Sequence, residues 1–94
     1  MFVLTAVNDR EAELGWPNGL AVDHSTQRLW WADAQLDRIQ HARLDGTDVV
    51  TMRHASIVHP FGLAVDASYV YFADWRNEGI MRLNKTGAFE PTLL

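Results

Sequence analysis

Side chains capable of chemistry recur in this chain at fixed distances. Asp33 and Asp74 lie 41 residues apart, and each closes an aromatic run, Trp30-Trp31-Ala32-Asp33 and Tyr71-Phe72-Ala73-Asp74. Two carboxylates can act as acid and base, but only at a defined mutual distance, which sequence spacing does not impose. A carboxylate at a strand end also accepts backbone N–H bonds. Its recurrence in both copies favours that structural role for Asp33 and Asp74, with Trp30, Trp31, Tyr71 and Phe72 as packing residues between sheets. Asp23 and Asp66 recur as well and read as turn formers.

Residues present in one copy only are better candidates for a site. Trp75-Arg76-Asn77 stands where Ala34-Gln35-Leu36 stands 41 residues earlier. An aromatic beside a guanidinium and an amide has the composition of a protein-contact hot spot. The competing role for Trp75 is packing back onto its own strands. His54 and His59 titrate near neutral pH and could respond to acidification, although loop histidines are also ordinary surface residues. Asn84-Lys85-Thr86 is an N-glycosylation sequence on a predicted turn, usable in a secreted chain. No Ser/His/Asp set, Cys/His set, phosphate loop or metal-spaced cluster stands out, so no catalytic residue, metal or cofactor is expected.

The elements that must hold these residues follow from the repeat itself. Pro17-Asn18-Gly19-Leu20-Ala21-Val22-Asp23 returns 43 residues later as Pro60-Phe61-Gly62-Leu63-Ala64-Val65-Asp66, and a turn after Asp23 absorbs the difference from 41. A period of about 40 residues with four short strand-like runs is the signature of a β-propeller blade. The expectation is all-β. One blade spans residues 17–53, with strands at Leu20–Val22, Arg28–Ala32, Arg38–Leu44 and Asp48–Arg53. A second spans 60–94, with strands at Phe61–Val65, Tyr69–Ala73, Gly79–Asn84 and Pro91–Leu94. Residues 1–5 read as the last strand of a preceding blade, and the whole chain as part of one propeller domain. The inner runs are apolar throughout, as for strands buried on both faces. In the second strand Leu29 and Trp31 share one face, Trp30 and Ala32 the other.

A propeller closes with about four to eight blades, so two repeats point to a fragment of a larger chain. The apolar share of 48 per cent argues against disorder. A net charge of −4 without a block of like charge argues against nucleic acid as a partner. No run approaches the roughly 18 apolar residues of a membrane span, so this segment is not expected to contact membrane directly. With no cysteine, the chain does not reveal its redox compartment.

The ordered motifs Pro17-Asn18-Gly19-Leu20-Ala21-Val22-Asp23, Leu29-Trp30-Trp31-Ala32-Asp33, Leu36-Asp37-Arg38-Ile39 and Leu44-Asp45-Gly46-Thr47-Asp48 resemble one blade of a YWTD propeller. His59-Pro60-Phe61-Gly62-Leu63 with Tyr71-Phe72-Ala73-Asp74-Trp75 resembles the next. Such propellers belong to the low-density lipoprotein receptor and its relatives, among them Wnt co-receptors, giant endocytic receptors and nidogen. Ala replaces Thr in both signatures, and Phe72 replaces Trp in one. The resemblance implies two four-stranded antiparallel blades, plus a stub strand, of a six-bladed propeller. It further implies a non-enzymatic module that binds extracellular protein ligands through its loop face. Its setting would be the extracellular part of a plasma-membrane or endosomal receptor of endocytic or Wnt-signalling type. The rest of the propeller and epidermal-growth-factor-like modules would be its neighbours in the parent chain. The rival class is a calcium-dependent lactonase, whose propellers carry similar Pro-Asn-Gly-Leu-Ala segments with Asn as a metal ligand. Asn18 would take that role, but Phe61 stands at its place in the second copy, and Leu44-Asp45-Gly46 fits the receptor pattern better.

Overall fold

The computed structural model describes residues 14–52 and 54–94; the strand expected at 1–5, and Arg53, lie outside the described residues. Eight strands follow one another: β1 (Pro17–Asp23), β2 (Arg28–Asp33), β3 (Arg38–Arg43), β4 (Val50–Met52), β5 (Pro60–Val65), β6 (Tyr69–Asp74), β7 (Gly79–Asn84) and β8 (Thr92–Leu93). They form two four-stranded antiparallel meanders, β1-β2-β3-β4 and β5-β6-β7-β8. No helix interrupts them among the described residues.

Aspartates shape the turns. Asp23 Oδ1 accepts the Ser25 N–H at 3.1 Å, and Asp66 Oδ1 accepts those of Ser68 and Tyr69 at 2.9 and 2.7 Å. Each inner strand carries an irregularity at its entry, between Pro17 and Gly19 and between Phe61 and Leu63. The second requires Gly62 at φ +61°, a conformation that a Cβ disfavours. Gly19 answers a different need. A Cβ there would lie 3.0 Å from the backbone nitrogens of Gly62 and Leu63, because β1 and β5 run side by side where the sheets meet.

Alternation along the strands then builds the core between the sheets. Trp30, Ala32, Ile39 and Met52 of the first sheet meet Val70, Phe72, Met81 and Leu83 of the second, with Ile57 from the connection and Leu63 and Val65 at the margin. Burying each large apolar side chain contributes about 1.5–3 kcal/mol, so this seam dominates cohesion between the sheets. Leu29, Trp31 and Ala42 form a separate cluster on the other face of the first sheet, flanked by Leu44 and Val49. There the buried Trp31 indole N–H donates to Gln40 Oε1 at 3.1 Å, and Gln40 Nε2 donates to Thr51 at 2.9 Å.

Three sequence expectations need correction. In the 94-residue chain by itself the inner strands are not buried on both faces: Leu20 is 62 per cent and Val22 42 per cent exposed. They oppose Trp31 and Leu29 on the face turned away from the second sheet. Strand β4 begins at Val50 rather than Asp48, since Asp48 adopts φ +55° and its carboxylate and carbonyl both accept from Arg28. Strand β8 begins after Pro91, which has no N–H to donate to a ladder.

Candidate functional site

Meander topology sorts the loops by end. The β2–β3 loop (34–37), the β6–β7 loop (75–78) and the approaches to β1 and β5 share one end. The β1–β2, β3–β4, β5–β6 and β7–β8 turns share the other. The one-copy residues Trp75, Arg76, Asn77 and His59 all belong to the first end.

The two repeated aspartates organise that end. Asp33, fully buried, accepts four backbone N–H groups: Gly15 at 2.7 Å on Oδ2, and Trp16, Gln35 and Leu36 at 3.0, 3.1 and 3.0 Å on Oδ1. Burial alone would raise its pKa. The bonds from Gly15, Trp16, Leu36 and Gln35 outweigh that and hold the carboxyl below its ordinary range. Asp74 is fastened differently. Its Oδ1 accepts the Arg76 and Asn77 N–H groups at 2.7 and 3.0 Å, and its Oδ2 accepts the Asn77 carboxamide at 3.0 Å. Both carboxylates are thereby committed to shaping loops. Asp37 and Glu78, equivalent across the repeat, both adopt φ 52°.

On this shared frame the two loops present different surfaces. Ala34 is buried, whereas Trp75 at the same position is 69 per cent exposed. The Trp75 ring lies 5.7 Å from Phe61, edge to face, and 5.9 Å from His59. His59 is positioned by Asp37 of the first sheet's loop, which accepts its backbone N–H at 2.8 Å and lies 3.3 Å from its Nδ1. Arg76, Asn77 and Glu78 are exposed beside it. Below Trp75 opens a groove of about 350 Å³, lined by Phe61, Ala73, Asp74, Glu78, Gly79 and Ile80. His54 stands apart: its Nδ1 lies 3.4 Å from Glu90, which also accepts from Ser56 at 2.8 Å. Asn18 lines an open pocket with Leu14, Pro17, Gly19 and Leu20. Among the described residues no group of three or more His, Cys, Asp or Glu is placed to hold a metal ion.

The opposite end is polar and carries contacts that sequence reasoning missed. Lys85 of the β7–β8 turn pairs with Asp23 of the first sheet and donates to the carbonyls of Asp66 and Ala67 at 3.1 and 3.3 Å. Burial works to raise the Asp23 pKa. The bonds from Lys85, Thr26 and Ser25 overcome it and hold the carboxyl far below the usual range. Asp23 is therefore an anchor between sheets as well as a turn former. Arg28 Nε donates to His41 Nδ1 at 2.6 Å, and the His41 ring stacks on Trp30 at 4.1 Å. Burial, then the neighbouring Arg28 charge, pushes His41 down to about 4. In the second sheet the equivalent positions hold Tyr69 and Arg82, with Arg82 4.3 Å over the Tyr69 ring. The available signal was the swap of residue types at these paired positions between the two copies. Asn84 lies at this end too, opposite Trp75.

Comparison with known proteins agrees with this geometry. Residues 27–67 match the family model of the low-density lipoprotein receptor repeat class B. The chain is 39 per cent identical over 79 residues to the vitellogenin receptor Yl of Drosophila melanogaster, covering 84 per cent of this chain and 4 per cent of the receptor. It is 35 per cent identical over 83 residues to the human low-density lipoprotein receptor-related protein 5-like protein, covering 88 per cent of this chain and 33 per cent of that one. Among solved structures, a nidogen/laminin complex superimposes with a TM-score of 0.76 at 31 per cent identity, over 87 per cent of this chain and 32 per cent of the other. The chain thus spans a third or less of the length of each.

Proposed function

We propose, from the match of residues 27–67 to the low-density lipoprotein receptor repeat class B, that the chain is part of a receptor propeller that binds an extracellular protein. In this reading residues 17–53 and 60–94 are adjacent blades of one propeller domain, residues 1–5 complete a preceding blade, and the parent chain supplies the rest, with epidermal-growth-factor-like modules beside it. The setting is the extracellular part of a plasma-membrane or endosomal receptor, of endocytic or Wnt-signalling type. No catalytic step is assigned to it.

The observation that carries the reading is the contrast between Trp75 and Ala34. One frame, set by Asp33 and Asp74, needs only a small buried residue at this position, yet the second loop holds a tryptophan out in solvent. Phe61 and His59 brace it, and Arg76 and Asn77 extend the patch. An anchored aromatic with low conformational freedom, ringed by polar groups, suits the centre of a protein interface. The sheets supply rigidity. The test is photocrosslinking in the full-length receptor on cells, from a photoreactive residue at position 75 and, as control, at position 47 on the opposite end. Ligand adducts from position 75 alone support the reading. Adducts from position 47 alone, or equally from both, contradict it.

A further inference from the structure

The β7–β8 turn carries a feature that ligand recognition does not use. Asn84 ends β7, and its Oδ1 accepts both the Thr86 N–H at 3.0 Å and the Thr86 hydroxyl at 2.6 Å. Thr86 Oγ1 in turn accepts the Ala88 N–H at 3.2 Å, and Gly87 closes the turn at φ +73°. The carboxamide oxygen is fully occupied, whereas Nδ2 donates no hydrogen bond among the described residues. Asn84 is half-buried and Thr86 exposed. The first copy has Arg43-Leu44-Asp45 at these positions, so the blade fold does not require an Asn here.

We propose that Asn84 is an acceptor for an N-linked oligosaccharide, an inference that rests on the extracellular reading above. The donor class is a lipid-pyrophosphate-linked oligosaccharide. The bond from the first sugar's C1 to the phosphate oxygen breaks, and its electron pair leaves with the lipid pyrophosphate. A bond from Asn84 Nδ2 to C1 forms as Nδ2 gives up one proton. The motif Asn84-Lys85-Thr86 supplies the hydroxyl two residues on, and the turn already holds that hydroxyl on the carboxamide oxygen. Lys85, between them, faces the other way, into Asp23 and the carbonyls of Asp66 and Ala67, so the sugar and the clamp occupy different sides of one turn. Because adjacent strand ends alternate, a glycan on Asn84 stands at the end opposite Trp75 and leaves the recognition patch open.

The test has two arms. The full chain behind a secretion signal is translated with microsomes that contain the transferase, and its mobility is compared before and after treatment with a glycan-removing amidase. A shift of one glycan is expected, lost in Asn84→Gln and in Thr86→Ala but kept in Thr86→Ser. An unshifted wild-type chain, or a shift that survives Asn84→Gln and Thr86→Ala, overturns the acceptor assignment whether or not the variants fold. The second arm is surface biotinylation of the parent receptor. Its failure there, with transfer intact in microsomes, upholds Asn84 as an acceptor and rejects only the extracellular reading.

Discussion

Replacing Asp33 separates geometry from charge at the buried carboxylate. Its Oδ1 takes three N–H groups and its Oδ2 takes one, from Gly15 at 2.7 Å. In Asp33→Asn the three Oδ1 bonds survive as neutral bonds, while the new NH₂ faces the Gly15 N–H. The cost is the Gly15 bond plus part of the charge assistance of the other three, about 2–4 kcal/mol. In Asp33→Ala all four donors lose their acceptor. Trp16 is exposed and can rehydrate, so the sum is less than four such bonds, on the order of 3–5 kcal/mol. Asp74→Asn should cost less than Asp33→Asn, because the Oδ2 partner there is the Asn77 carboxamide, which can turn its oxygen toward a new donor. The assay is urea unfolding of the parent propeller carrying each change. Because Asp33 is held below its ordinary pKa, its contribution is present above about pH 4 and fades as pH falls further, and Asp33→Asn should flatten that acid limb. Equal losses for Asn and Ala at position 33, or a loss below about 1 kcal/mol for Ala, would refute this reasoning.

Three further outcomes are expected. Gly19→Ala should destabilise the propeller by about 1–3 kcal/mol, since its Cβ meets backbone of the neighbouring sheet, and calorimetry would read this as a lowered melting temperature. His41 is held near 4 in the fold against an ordinary 6.5, so the unfolded chain takes up its proton first. Stability should fall between pH 6.5 and 4, by at most about 3 kcal/mol, and unfolding of His41→Gln over that range should show a shallower slope. The isolated 94-residue chain, with Leu20, Val22 and Ile80 exposed on sheet faces, should associate or precipitate, and light scattering that shows a monodisperse monomer would count against an open propeller segment.

The repeat made much of the fold legible. Two copies of one pattern fixed strand order and the division of Leu29 and Trp31 from Trp30 and Ala32, because side-chain alternation is local. What failed was whatever depends on a neighbour distant in sequence. Leu20 and Val22 have the composition of a buried strand, but burial depends on whether a sheet packs over them. Lys85 reads as the middle of a glycosylation motif, and nothing local points it at Asp23, 62 residues earlier. His54 and His59 share one connection, yet their partners, Glu90 and Asp37, lie on different sheets. The Trp75 patch was half legible: the contrast with Ala34 marked it, while its bracing by Phe61 and His59 needed three dimensions.

The most direct test of the proposed recognition surface is Trp75→Ala in the complete propeller, with melting temperature and affinity for a candidate extracellular protein ligand measured on the same preparation. Trp75 is 69 per cent exposed in this two-sheet chain and sits in the β6–β7 loop rather than on a sheet face, so the melting temperature should stay within a few degrees of wild type. Affinity should fall at least about 30-fold, the loss of about 2 kcal/mol typical of a truncated interface tryptophan. A melting temperature lowered by many degrees with unchanged affinity of the folded fraction would show that Trp75 serves packing, and the recognition face would have to be sought elsewhere.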